Sequence, residues 1–147
     1  MALFETLWYS GDINLHGIFQ ERGEIMTDIF IDPTKSSITV KVTSKSVHAV
    51  GFEITVFDSD GSTVMEQFPG NTQNTNPYVK TLQQGPSSYK GKYIRGTFTV
   101  QSPDGTDYPY SVIFSILEDN IVVNPEIPLA GSITNGQAQT IAVYHIN

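Results

Sequence analysis

Apolar and polar residues alternate through most of this chain. Ile38, Val40 and Val42 alternate with Thr39, Lys41 and Thr43. Phe52, Ile54 and Val56 alternate with Glu53 and Thr55, and Ile94, Phe98 and Val100 with Arg95, Thr97 and Thr99. Successive side chains of a strand point to opposite faces, so each run buries one face and wets the other. The pattern predicts strands at 3–9, 25–32, 37–43, 48–57, 62–67, 76–82, 93–101, 108–117, 129–134 and 139–146. No segment sustains the apolar period of a helix; a short turn near 15–22 comes nearest.

Turn residues punctuate the runs. Asp60-Gly61 lies between two of them and predicts a hairpin. Pro103-Asp104-Gly105 predicts the same between 93–101 and 108–117, and Asn135-Gly136 between 129–134 and 139–146. Gly51 and Gly96 fall inside strand patterns, where glycine marks bulges or close sheet contacts. Short strands with frequent turns indicate an all-β fold: an antiparallel two-sheet β-sandwich, jelly-roll-like, with almost no helix. Its expected core includes Phe52, Ile54, Val56, Phe98, Val100, Val112, Phe114, Ile141 and Val143. A length of 147 residues predicts a single domain over 1–147.

Composition narrows the function. The chain has no cysteine, which excludes disulfides, thiolate metal sites and thiol chemistry. Its net charge of −7 argues against nucleic acid as a partner, because phosphate binding needs a basic footprint. No apolar run is long enough to form a transmembrane helix. The first residues lack the basic start of a signal peptide, so a soluble chain made in the cytosol without a cleaved leader is expected. Charge is segregated along the sequence. Residues 1–34 are acid-rich, 67–103 carry no acid, and 104–147 carry neither Lys nor Arg.

Catalytic signatures are missing. There is no Gly-x-Ser-x-Gly and no His-Glu-x-x-His, so neither an enzyme nor a cofactor is expected. His48 shares parity with Val50 and Phe52, and His145 with Ile141 and Val143, which makes both structural; His16 is unplaced. Asp58-Ser59-Asp60-Gly61 resembles part of a calcium loop, but Val56 and Gln67 stand where carboxylates are needed, leaving at most a weak surface site.

The segment 68–92 is rich in Pro, Gly, Asn, Gln and Ser and predicts a long loop, where binding residues concentrate. Tyr78, Tyr89 and Tyr93 lie in or beside it, interleaved with Lys80, Lys90 and Lys92 and followed by Arg95. Tyrosine offers stacking area, amides offer paired donors and acceptors, and lysine offers charge. These seven residues are the candidate ligand- or partner-binding set. The expected function is a non-catalytic recognition module acting as a homo-oligomer. It is lectin-like or cell-surface-binding, with a glycan, cell-surface or protein partner. Two alternatives are a structural subunit of a virion, appendage or other self-assembling particle, and a membrane-active, toxin-like β protein.

Overall fold

The alternation builds two sheets in the computed structural model, which describes residues 25–147 apart from Val47 and Pro103. The predicted strand 3–9, the turn near 15–22 and His16 lie outside the described residues. The strands are β1 (Ile25–Ile29), β2 (Ile38–Ser44), β3 (Val50–Phe57), β4 (Val64–Asn71) and β5 (Tyr78–Thr81). They continue with β6 (Tyr93–Gln101), β7 (Pro109–Glu118), β8 (Ile121–Ser132) and β9 (Gln137–Ile146). A five-stranded sheet has the order β1-β9-β6-β3-β4 and a four-stranded sheet the order β5-β2-β7-β8. The only helical piece among the described residues is a 3-10 turn at Pro86–Ser88.

The expected all-β sandwich is therefore present, with three differences of detail. The ladder between β1 and β9 is parallel, whereas every other pairing of named strands is antiparallel. The second difference concerns turns. Asp60-Gly61 joins β3 to β4 within one sheet, as expected of a hairpin. Asn135-Gly136 also closes a tight reversal, with Thr134 bridged to Gln137, but β8 and β9 then part into different sheets, and the Asp104-Gly105 turn likewise carries the chain from one sheet to the other. A turn dipeptide specifies a reversal and leaves open which neighbour the next strand pairs with. Third, β8 starts at Ile121, well before the predicted 129–134. It follows a two-residue turn at Asp119 and Asn120, both at positive φ, the geometry that suits a twisted hairpin. Pro125 and Pro128 hide it from a propensity reading, yet β8 is an edge strand, where proline is tolerated.

Between the sheets lies a core of buried residues. Phe52, Ile54, Val56, Phe98, Val100, Val112 and Phe114 are in it as expected. Aromatic rings run across it: Tyr78 meets Phe52 edge-on at 4.9 Å, Phe98 meets Phe114 at 5.2 Å, and Phe114 meets Tyr144 at 5.0 Å. The Tyr144 hydroxyl donates to the Phe114 carbonyl at 2.7 Å, so its buried polar atom is satisfied. Of the two β9 residues expected in the core, Val143 is fully buried, in a second cluster, and Ile141 is only half-buried. Ala142, Tyr144 and Ile146 join this core, whereas Ile141, Val143 and His145 belong to the other parity. Both faces of β9 are apolar enough that alternation alone does not say which one turns inward.

Candidate functional site

Residues 68–92 are more ordered than their composition suggests. β4 runs to Asn71, and β5 then adds to the edge of β2. The Asn76 side chain closes the gap between them. Its Oδ1 accepts from the Ser44 amide at 3.0 Å and its Nδ2 donates to the Ser44 carbonyl at 2.9 Å. A side-chain amide thus stands in for a strand partner. Farther on, Tyr89 is fully buried; its hydroxyl donates to Glu66 Oε1 at 2.5 Å and accepts from the Gln84 amide at 2.9 Å. Burial and the neighbouring Glu66 carboxylate push the Tyr89 phenol well above its ordinary range.

The seven candidate residues do not converge on one patch. Tyr78 packs on Phe52 beside the core. Tyr89 is interior and offers no surface to a partner. Lys80 lies over the Phe68 ring at 4.4 Å, on the β5 edge. Lys92 pairs with Asp58 at 3.0 Å. Tyr93 stacks on His145 at 4.6 Å, and Arg95 lies over the Phe57 ring at 4.7 Å. Lys90 is exposed. Asp58 and Asp60 are also occupied: Asp58 by Lys92 and the Ser59 amide, Asp60 by the amides of Ser62 and Thr63. No group of three or more His, Asp or Glu side chains suited to a metal ion occurs among the described residues. Nor is any described helix long and apolar enough to cross a membrane.

A different surface stands out on the outward face of the five-stranded sheet. Ladder register sets its rows. Gly51 lies between Asn71 and Thr99, and Glu53 between Pro69 and Thr97. Toward the other end of the same face, Thr55 pairs with Arg95, Phe57 with Tyr93, and Tyr93 with His145. That end is filled by a second apolar cluster of Phe57, Tyr93 and Val143, with Met26 against it. The first end is hollow. A solvent-open concavity of about 580 Å³ is lined there by Ala49, Gly51, Glu53, Gln73, Thr97, Thr99 and Gln101, among others.

Gly51 is among the residues that line this hollow. Three glycines of the sheets contrast with it. A Cβ at Gly96 meets Phe98 Cζ at 2.4 Å, one at Gly70 meets the Phe52 ring at 2.6 Å, and one at Gly131 meets the Tyr110 hydroxyl at 2.8 Å. Packing requires glycine at each of those positions. A Cβ at Gly51 meets only the Thr99 carbonyl oxygen, at 3.9 Å. No positive φ requires glycine there either, and the one register shift in β3 lies farther on, at Val56 and Phe57. The expectation of a bulge or close contact therefore holds for Gly96 and fails for Gly51. Glycine within a strand forfeits about 0.5–1 kcal/mol relative to alanine. No contact or backbone angle within the sheet requires glycine at this position.

A second concavity of about 730 Å³ shares Ala49, Gln73 and Gln101 with the first and continues to His48, Ser102, Gly105, Asn135 and Gly136. Its rim is stiff. The Ser102 amide donates to the Gly136 carbonyl at 2.8 Å, joining the two corner turns. Asp104 Oδ1 accepts from the Ser102 hydroxyl at 2.6 Å and from the Thr106 hydroxyl at 2.7 Å and amide at 3.1 Å. These bonds hold the Asp104 carboxyl down to about 2. His48, expected to be structural, lines this concavity, with its ring edge-on to Tyr108 at 5.0 Å. Nothing in the sequence pattern singled out this groove, because Thr, Gln and Asn at outward strand positions are what any wet sheet face carries. Comparison of the chain with protein-family models, curated proteins and solved structures finds no significant match.

Proposed function

We propose that this protein is a non-catalytic recognition module that binds a glycan in the groove above Gly51. The observation that carries the reading is Gly51 itself, a strand glycine with no internal packing reason in the lining of a hollow. The chemistry of the walls fits a hydroxyl-rich ligand. Amides of Asn71, Gln73 and Gln101 and hydroxyls of Thr97 and Thr99 offer both donors and acceptors. Glu53 adds an acceptor, steadied by Gln67 Nε2 at 2.8 Å. A glycan array probed with the wild-type protein and with Gly51→Gln tests the reading. Binding by the wild type and its loss in the variant are expected; equal binding by both contradicts the site.

Self-association belongs to the same reading, since several shallow sites on one particle raise avidity without new contacts. Strand addition is disfavoured at three of the four sheet edges, β1 being the fourth. Pro69 sits on edge strand β4, Pro125 and Pro128 on edge strand β8, and edge strand β5 is short and carries Lys80. Exposed Phe30 and Ile121, at 76% and 71%, are the side chains through which copies would meet. Light scattering should show a species larger than the 16.2 kDa chain, reduced by Phe30→Ser with Ile121→Ser. A monomeric wild type removes this part of the proposal. A very large particle would favour the structural-subunit alternative.

A further inference from the structure

The two concavities are one groove, and its shape and charge bear on what fills it. Ala49, Gln73 and Gln101 line both. Along β3, Glu53 and Ala49 are separated by four residues, about 13 Å at the rise of a strand. Beyond Ala49 the groove continues to Asn135 and the contact between the two corner turns, where Gly136 approaches Gly105. The hollow is therefore longer than one sugar ring. Amide and hydroxyl side chains recur along its length, beside Phe52 and Ala49 and, toward the far end, His48. Neither lining set contains Lys or Arg, and Glu53 is the carboxylate among them. Lys80, Lys92 and Arg95 are engaged elsewhere with Phe68, Asp58 and Phe57. An anionic ligand would meet the Glu53 carboxylate with no lysine or arginine in either lining set to offset it, within a chain of net charge −7.

Resting on the glycan reading above, we infer that the ligand is an extended, uncharged oligosaccharide. It lies along the groove from Glu53 to Asn135, with Gln101 and Gln73 at the join of two subsites. Sialylated, sulfated and phosphorylated glycans are disfavoured, because the lining sets hold a carboxylate and neither lysine nor arginine. A single sugar fills one subsite only and binds weakly, because each subsite contributes few hydrogen bonds of modest net strength.

The test is a length series of neutral gluco-, manno- and galacto-oligosaccharides, from monosaccharide to hexasaccharide, with sialylated and sulfated oligosaccharides of matched length. Affinities are measured by calorimetry on the full chain. Three variants report on position: Gly51→Gln at the first subsite, Gln101→Ala at the join, and Asn135→Gly at the far subsite, where glycine keeps the positive φ of the turn. Affinity for one neutral series should rise steeply with length, by about tenfold or more from disaccharide to hexasaccharide. Asn135→Gly should weaken the long oligosaccharides several-fold and leave the disaccharide unchanged. Gln101→Ala should weaken both, and Gly51→Gln should abolish both. Circular dichroism and melting temperature confirm that each variant is folded. Equal affinity for monosaccharide and hexasaccharide, or tighter binding of the anionic set, overturns the extended neutral ligand while leaving glycan binding in place. Failure of every glycan at every length overturns the glycan reading and this inference with it.

Discussion

The outward face of the five-stranded sheet has two ends built on the same strands with the same alternation, and they end up physically opposite. At one end Phe57, Tyr93 and Val143 are buried, Val143 completely, and Arg95 lies over the Phe57 ring. At the other end, the same strands present Gly51, Thr97, Thr99 and Gln101 around a hollow. Both ends rest on one core, since the inward neighbours Phe52, Ile54, Ile94 and Phe98 are shared. The difference shows that a strand face can be divided lengthwise. Large rings close one half, and short polar chains with one glycine leave the other open.

Paired substitutions break or sharpen that contrast. The largest effect belongs to the closed end: Phe57→Ala should cost about 3–5 kcal/mol, as expected for a buried ring. Thr99→Ala at the open end should stay within about 0.5 kcal/mol. Urea denaturation measures both. Similar costs at the two ends would mean that the hollow is structurally committed.

The glycines give the next largest contrast. Gly96→Ala forces a Cβ into the Phe98 ring and should destabilise by about 1–3 kcal/mol. Gly51→Ala meets no obstruction and should stabilise by about 0.5–1 kcal/mol. The sign difference, read from denaturation midpoints, is the informative quantity. A destabilising Gly51→Ala would reveal a packing role and remove the case for a site there.

Alkali should act on the closed end. Burial, and secondarily the Asp28 charge, raise the Tyr93 phenol above its ordinary value of 10.0. The folded state therefore holds this proton more tightly than the unfolded chain. Its contribution is complete below pH 10.0 and is lost as pH rises through the folded value. Tyr93→Phe should make the alkaline loss of stability shallower. An unchanged alkaline limb would contradict the assignment.

The smallest effect is acid on the open end. The hydroxyls of Ser102 and Thr106 and the Thr106 amide lower the Asp104 carboxyl from 3.8 to about 2. Its contribution is present above 3.8 and disappears as pH falls through about 2. The corner beside Ser102 and Gly105 should loosen in that window, which hydrogen exchange of the Thr106 amide would detect. Asp104→Asn should loosen it at neutral pH.

Most of the framework was legible in the sequence because alternation and burial are the same fact seen twice. Phe52, Ile54, Val56 and Phe98 went where their parity put them. The exceptions have physical causes. Ile141 departs from its expected burial because β9 is apolar on both parities; Val143 of the same parity is buried, but in the second cluster. β8 begins at Ile121, earlier than the predicted 129–134, and runs through Pro125 and Pro128, which an edge strand accepts because it needs no ladder donor on its free side. The candidate set around Tyr78, Lys80 and Tyr89 followed composition. Tyr89 illustrates what composition omits: its hydroxyl has a buried partner, Glu66, distant in sequence. The groove was illegible because it depends on what Gly51 fails to touch, and only coordinates show that.

The most direct test of the groove is an amide chemical-shift titration of the full chain with the tightest neutral oligosaccharide from the length series. The account predicts shifts concentrated at Ala49, Gly51, Gln73, Thr97, Thr99 and Gln101, with Tyr93, Arg95 and Val143 on the closed half of the same face unmoved. Shifts centred on Lys80, Lys90 and Lys92, with Gly51 silent, would contradict it and return the site to the basic segment.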